Sequence, residues 1–382
     1  MRASPLIAAA AALASSANAF PGSKCHDEHG LFQYGHADCK VTPKVIIISM
    51  FGPEADIWYS NNEVYDVLAR NISVPGLSPL YPDVHCTANA EVCQLTTGES
   101  EINAAVTISS LVASPLFHLT KTYFMIAGIA GINPHQGTIA SVTFARYAVQ
   151  VALQYEFDAR EMPANFSTGY VGFGTTMPNQ YPTTLYGTEV FEVNTALRDL
   201  AVGFARQATL NDSAQAVAYR ATYAEAYTAA GTGPSVLTCD VTTSDVYFSG
   251  NLLGEAFANW TSVLTNGTGV YCMTAQEDNA TLAALLRGAL SSFVDFARII
   301  VMRTASDFDR EAPGYPATYN LFWADAGAFE PSLQNIYLAG VEVVNGIIGG
   351  WEETFEAGIR PQNYIGDVFG TLGGVPDFGP GS

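Results

Sequence analysis

Asp295-Phe-Ala-Arg-Ile-Ile-Val-Met-Arg-Thr-Ala-Ser-Asp-Phe-Asp309 is the stretch on which the reading of the fold turns. Ile299 to Met302 is a short apolar run rich in β-branched residues, the signature of a strand buried on both faces. The pattern predicts a strand over 298–303 that delivers Arg303, Ser306, Asp307 and Asp309 at its carboxyl end. Open α/β sheets place their ligands there. A solvated turn after a core strand is the plainer alternative, and only the rest of the chain separates the two.

Outward from that stretch, Lys44 to Phe51 reads as the first strand, ending on Gly52-Pro53-Glu54. An irregular region rich in Pro, Asn and Tyr follows up to about Val92. A helix is expected over 102–112, with Thr96 or Ser100 as its cap. Thr122 to Ala127 reads as a strand landing on Gly128-Ile-Ala-Gly131, where glycines let a backbone turn tightly or approach a ligand. Residues 140–154 suit a pair of strands. Val193, Ala196, Leu197, Leu200, Ala201 and Phe204 recur at helical spacing and predict an amphipathic helix over 191–208. An alanine-rich helix is expected over about 212–230. Ser235–Cys239 and Gly269–Met273 read as strands, and 280–290 and 332–348 as helices. Strands alternating with helices imply an α/β sandwich in one domain, without internal repeats or a linker.

The 382 residues are 48% hydrophobic and 14% charged, with a mean hydropathy of +0.15, enough for a sizeable core. Sixteen basic residues face 36 acidic ones, a formal net charge of −20. Self-repulsion at that charge excludes binding to nucleic acid or an anionic membrane surface. Arg2, the apolar run Leu6 to Ala14 and the small residues of Ala17-Asn18-Ala19 read as a cleaved export signal over 1–19. The run is too short to span a bilayer, which takes roughly 20 apolar residues. Val343 to Trp351 is broken by glycines and flanked by Glu342 and Glu352, so no transmembrane segment is expected. The reading is a secreted or cell-surface chain.

Six cysteines suit that oxidising compartment. Neighbours in sequence suggest Cys25–Cys39, Cys86–Cys93 and Cys239–Cys272, although connectivity is not deducible from sequence. Residues 20–42 read as an extension tied down by the first bridge, with the main domain over 43–382. The cysteines lack the paired Cys-x-x-Cys spacing of zinc sites, and neither a metal nor another cofactor is expected. Glycan acceptor sequences stand at Asn71, Asn165, Asn211, Asn259, Asn266 and Asn279. N-glycans and a homo-oligomer both stay open.

Polar groups thus stand at four strand ends: Glu54, Gly128 to Gly131, Asp245 to Tyr247, and Asp307. Glu277 precedes a helix between the last two. In this order they resemble the purine nucleoside phosphorylase and nucleosidase superfamily. Over about 42–375 the chain is similar to the fungal purine nucleoside permeases. Thr274-Ala-Gln-Glu-Asp-Asn279 and Arg303-Thr-Ala-Ser-Asp-Phe-Asp309 carry most of the likeness, supported by Ala127-Gly-Ile-Ala-Gly-Ile-Asn133. The resemblance implies a three-layer αβα sandwich around a mostly parallel or mixed sheet. It also implies roles. Asp307 would protonate or hydrogen-bond purine N7, and Glu277 would accept from ribose hydroxyls, although Gln276 replaces the usual methionine before it. Tyr247 would stack on the base with Phe248 as a wall, and Glu54 would polarise an attacking water. Ser306, Gly128 and Gly131 would line the substrate. If Glu277 borders a pocket, a glycan on Asn279 would obstruct it, and Asn279 is expected to be unmodified.

Taken singly, Glu54 also fits a solvated turn, Tyr247 a core aromatic and Glu277 a helix-start carboxylate favoured by the dipole. Phosphorolysis needs an anion pocket, usually an arginine and a serine, where this chain has Ile126 and Ile129. Arg146 and Arg303 are the cations available to serve from elsewhere. Three functions stay in play: hydrolysis of purine nucleosides, nucleoside binding or uptake with a membrane partner, and a surface protein that keeps the fold without catalysis.

Overall fold

A computed structural model describes residues 40–379. Residues 1–19, expected to be an export signal, and Cys25 and Cys39 lie outside the described residues. In chain order the first elements are β1 (Val45–Ser49), α1 (Gly52–Ser60), β2 (Arg70–Ser73), β3 (Asp83–Cys86), β4 (Val92–Thr96) and α2 (Glu101–Ala113). Then come β5 (Tyr123–Ile132), β6 (Val142–Phe144), β7 (Tyr147–Gln150), β8 (Tyr155–Glu156), β9 (Tyr170–Val171) and β10 (Val190–Glu192). The next six are α3 (Thr195–Ala205), α4 (Ala214–Ala221), β11 (Val236–Thr238), β12 (Asp240–Thr243), α5 (Asn251–Leu264) and β13 (Tyr271–Ala275). The chain continues through α6 (Asp278–Leu290), β14 (Ile299–Phe308), α7 (Ala317–Phe322), α8 (Phe329–Gly349) and β15 (Gly366–Asp367).

Strands run in the order β15-β10-β7-β12-β13-β5-β1-β4-β3-β2, and β14 joins through β5 and β6. Pairings of β1 with β4 and β5, of β5 with β14, and of β12 with β7 and β13 are parallel. Those of β5 with β13 and of β14 with β6 are antiparallel, so the sheet is mixed. The period-two alternation of β1 and β5 divides the core. Ile46, Ile48, Phe124 and Ile126 face α2 and α6, while Val45, Ile47, Tyr123 and Met125 face α1, α3 and α8. Helices therefore cover both faces, and the α/β three-layer expectation holds. Both bridges within the described residues form: Cys86–Cys93 links registered partners of β3 and β4, and Cys239–Cys272 ties the lead-in of β12 to β13. Among the described residues no helix is long and apolar enough to cross a membrane.

Several expectations need correction. The strand at 298–303 does not stop at Arg303: β14 continues through Phe308, with its register slipping between Ala305 and Asp307. That bulge re-aims Ser306 and Asp307, which stay on the strand rather than after it. Likewise Gly128 to Gly131 is not a landing loop but the second half of β5. Finally, the region after Glu54 is not irregular throughout but holds α1, β2 and β3. Pro53 in the first turn starts α1, because a missing N–H costs nothing there. Helices at 191–208 and 212–230 are also shorter than expected, and α5 and α7 had no anticipation at all.

β5 sets the position of the site. Its first half is flanked by β1, its second half by β13, and β14 runs along its other edge throughout. Where β5 leaves β1 for β13, the carboxyl ends of β1 and β13 approach from opposite sides. A gap opens between them, next to Ile129.

Candidate active site

The gap is a cavity of about 240 Å³ walled by Glu54, Ile129, Glu277 and Arg303, with Tyr247 and Phe329 at the side. A second cavity of about 340 Å³ adjoins it, sharing Ile129, Tyr247, Thr274 and Ser306 and reaching Asp307 and Asn320. Phe51 and Phe329, ring centroids 6.5 Å apart, form an aromatic wall.

Glu54 is no solvated turn residue. It is 1% exposed; its Oε2 accepts from Met50 N at 2.7 Å and its Oε1 from Ile129 N at 2.7 Å. Burial pushes its carboxyl up to about 8, against Arg303 and those two backbone N–H groups, which favour the charge. Gly128 explains how Glu54 fits. A Cβ there would stand 2.6 Å from Glu54 Oε1 and 2.8 Å from Arg303 Nη1, so the glycine lets both side chains lie against β5. Gly128 itself lies beneath the cavity lining. Gly131 does line the cavity, and a Cβ on it would meet Thr274 Oγ1 at 2.5 Å and Asp307 Oδ1 at 2.7 Å.

Arg303 is the fixed centre. It is 2% exposed and donates from Nε and Nη2 to Asp278 at 3.3 and 2.6 Å, from Nη2 to Glu277 Oε2 at 3.1 Å, and from Nη1 to the Ile129 carbonyl at 3.0 Å. Glu277 is 4% exposed, and its other oxygen accepts from Ser100 N at 3.0 Å, at the start of α2. Burial raises its pKa, while the guanidinium and that N–H oppose the shift. Neither Thr96 nor Ser100 caps α2 by side chain. Asp245 Oδ1 does so instead, accepting from Ser100 Oγ and Glu101 N at 2.8 Å each.

Asp307 is half-buried on the bulge of β14, and Tyr247 donates its hydroxyl to Asp307 Oδ2 at 3.1 Å. Burial pushes Asp307 up to about 6, with Asp309 adding to the shift and Tyr247 opposing it. The Tyr247 ring is 65% exposed, so it is no core aromatic; Phe248 packs edge-on against Phe257. Ser306 Oγ donates to the Ala130 carbonyl at 3.2 Å while facing both cavities. Asp309 is committed to Arg310 and Tyr271.

Of the expected site residues, Glu54, Glu277, Tyr247, Phe248, Ser306, Gly131 and Asp307 therefore converge. Ile129 lines the cavity and Ile126 is fully buried behind it. Arg146 is elsewhere, bonded to Glu192 and Asp377. Asn279 is 2% exposed, its amide donating to the Thr188 carbonyl at 2.8 Å and its oxygen accepting from Thr243 at 2.8 Å. Thr274, Glu99 and Phe329 were missed. Thr274 carried a signal, since it opens the motif that ends at Asn279; the other two carried none.

Comparison with known proteins gives these findings. The family model for purine nucleoside permease (NUP) matches residues 42–360. A purine nucleoside permease of Candida albicans (strain SC5314 / ATCC MYA-2876) is 47% identical over 359 residues, covering 92% of this chain and 87% of that protein. A probable purine nucleoside permease of Schizosaccharomyces pombe is 41% identical over 317 residues, covering 81% of this chain and 90% of its own length. Among solved structures, the 5′-methylthioadenosine/S-adenosylhomocysteine nucleosidase of Neisseria meningitidis aligns with a TM-score of 0.45 at 13% identity, over 81% of this chain and 98% of that one. A futalosine hydrolase of Helicobacter pylori aligns with a TM-score of 0.47 at 14% identity, over 79% and 97%.

Proposed function

The chain belongs to the purine nucleoside permease family, and from that premise we propose that it is a secreted purine nucleoside N-ribohydrolase. The observation that carries the proposal is the pair of carboxyls with raised pKa, Glu54 and Asp307, bordering one continuous pocket around Glu277.

In this reading the base lies against Tyr247 and Phe248, with N7 at Asp307. Glu277, fixed by Arg303 and Ser100, accepts hydrogen bonds from the ribose hydroxyls. Asp307 gives a proton to N7 as the C1′–N9 bond breaks and its electron pair passes to the base. Glu54 takes a proton from water, whose oxygen forms the new bond to C1′. Free purine and ribose result, and the two carboxyls re-equilibrate one proton with solvent. Burial raises both carboxyls, and groups acting on a developing charge do so more strongly in a dry pocket than in water. The reading of residues 1–19 as an export signal places the reaction outside the cell.

The second reading, nucleoside binding for uptake with a membrane partner, draws on the permease name of the relatives. Incubation of the mature chain with adenosine, inosine and guanosine separates the two. Release of free base supports cleavage; saturable binding without base supports the binding reading.

A further inference from the structure

Arg303 has five N–H donors in a rigid planar fork, a shape that matches carboxylate or phosphate oxygens two at a time. Asp278, the first residue of α6 and fully buried, occupies one such face: Nε to Oδ1 at 3.3 Å and Nη2 to Oδ2 at 2.6 Å. Glu277 takes a further bond from Nη2 and the Ile129 carbonyl one from Nη1. Four of these bonds have protein acceptors. Among the described residues that line the two cavities, Arg303 is the sole cation; Glu54, Glu99 and Glu277 line the same cavity, and Asp307, Asp309 and Asp325 the adjoining one.

An oxyanion entering this pocket therefore meets a guanidinium whose charge the buried Asp278 already balances and whose N–H groups are largely taken. Ile129 beside it offers no hydroxyl. Water, being neutral, suffers no such exclusion. We infer that Asp278 is a specificity-determining residue: by occupying the fork of Arg303 it bars phosphate from the pocket and leaves water as the acceptor. The consequence for catalysis rests on the hydrolytic reading, whereas the consequence for anion binding does not. Asp278 acts through Arg303 and touches no reacting atom.

The test uses the full mature chain and two variants, Asp278→Ala and the near-isosteric Asp278→Asn. Inorganic phosphate is titrated into each by calorimetry and by thermal shift, with nucleoside binding as the check of folding. Wild type should show no saturable phosphate binding. A variant should gain it, roughly tenfold or more above wild type, the factor one charge-assisted hydrogen bond is worth. Bound phosphate should leave the nucleoside site open, so that the two bind together. In turnover, base release by the variant should become phosphate-dependent: C1′–N9 breaks with its electron pair going to the base, a phosphate oxygen bonds to C1′, and ribose 1-phosphate appears.

A variant that still binds nucleoside but gains no phosphate affinity overturns the inference. So does wild-type protein that binds phosphate saturably while nucleoside is bound, a result that needs no variant to fold. If no form of the protein releases base, the cleavage reading falls, while the phosphate titration still decides the role of Asp278.

Discussion

Strands β7 and β12 carry an arginine–carboxylate knot at their amino end, and their carboxyl ends lead toward the one in the pocket. At the amino end Arg146 donates to Glu192 at 2.7 Å and to Asp377 at 3.0 Å, and its guanidinium lies 4.6 Å from the Tyr147 ring centroid. Glu192 is fully buried, and burial pushes it up to about 8, the same value as Glu54. Yet Glu192 does not line a cavity with a second acid. Its bonded oxygen is shared between Arg146 and Asn363, and the strand pair β10–β15 closes over it. Glu54 instead lines a cavity with Glu277, and Asp307 lines the one that adjoins it. A perturbed carboxyl alone does not mark a site. What separates the two knots is a partner of different pKa across open space, together with a cation that is fixed rather than one that holds down the end of the chain.

The largest expected effects attack that distinction. Glu54→Gln and Asp307→Asn should each lower kcat for base release by about 10²–10⁴, with nucleoside affinity changed far less. Glu192→Gln should leave kcat/KM nearly unchanged. Initial rates of base release decide it, and equal losses in Glu54→Gln and Glu192→Gln would erase the difference between the two ends. The pH profile sharpens it. With Asp307 at about 6 and Glu54 at about 8, the pair holds one proton between those values, mostly on Glu54, and the productive form is the minor one in which that proton has moved to Asp307. kcat/KM should therefore be bell-shaped with limbs near each, falling about tenfold per pH unit outside them. Below the lower limb both carboxyls are protonated and the base is lost; above the upper limb both are ionised and the acid is lost.

Smaller effects follow. Arg146→Met should destabilise the fold by up to about 3 kcal/mol, the low end for breaking a buried pair because this arginine is partly exposed. Activity of the folded fraction should persist, as thermal denaturation with parallel assays would show. Smallest is Tyr247→Phe. Removing the hydroxyl that donates to Asp307 forfeits about 0.5–1.5 kcal/mol and raises the Asp307 pKa. The lower limb of the pH profile should accordingly move to higher pH.

What the sequence revealed follows from where its signals are local. Ile299 to Met302 and Val45 to Ser49 announce buried strands because both faces need apolar side chains. Cys86 and Cys93 pair because they stand opposite one another on adjoining strands. Other features depend on neighbours far along the chain. The polar residues Arg303 to Asp307 continue a strand only because Gly128 and Gly131 on β5 leave space for them, which no window of sequence displays. Arg303 reads as a free cation until Asp278, 25 residues earlier, is seen to hold it. Pro53 was legible as a helix start and was passed over for its place after a strand. In α5, Phe257, Trp260 and Leu264 keep helical spacing, but the helix opens on Gly250 at φ 131°, a start that supplies no capping side chain.

Product analysis of wild-type protein tests the division of labour in the pocket most directly. Adenosine, inosine and guanosine are incubated with and without phosphate, and base, ribose and ribose 1-phosphate are measured together. The expected result is base and free ribose in equal amounts at a rate insensitive to phosphate, since Glu54 orients water and Arg303 is withheld from anions. Ribose 1-phosphate rising in proportion to added phosphate would contradict it.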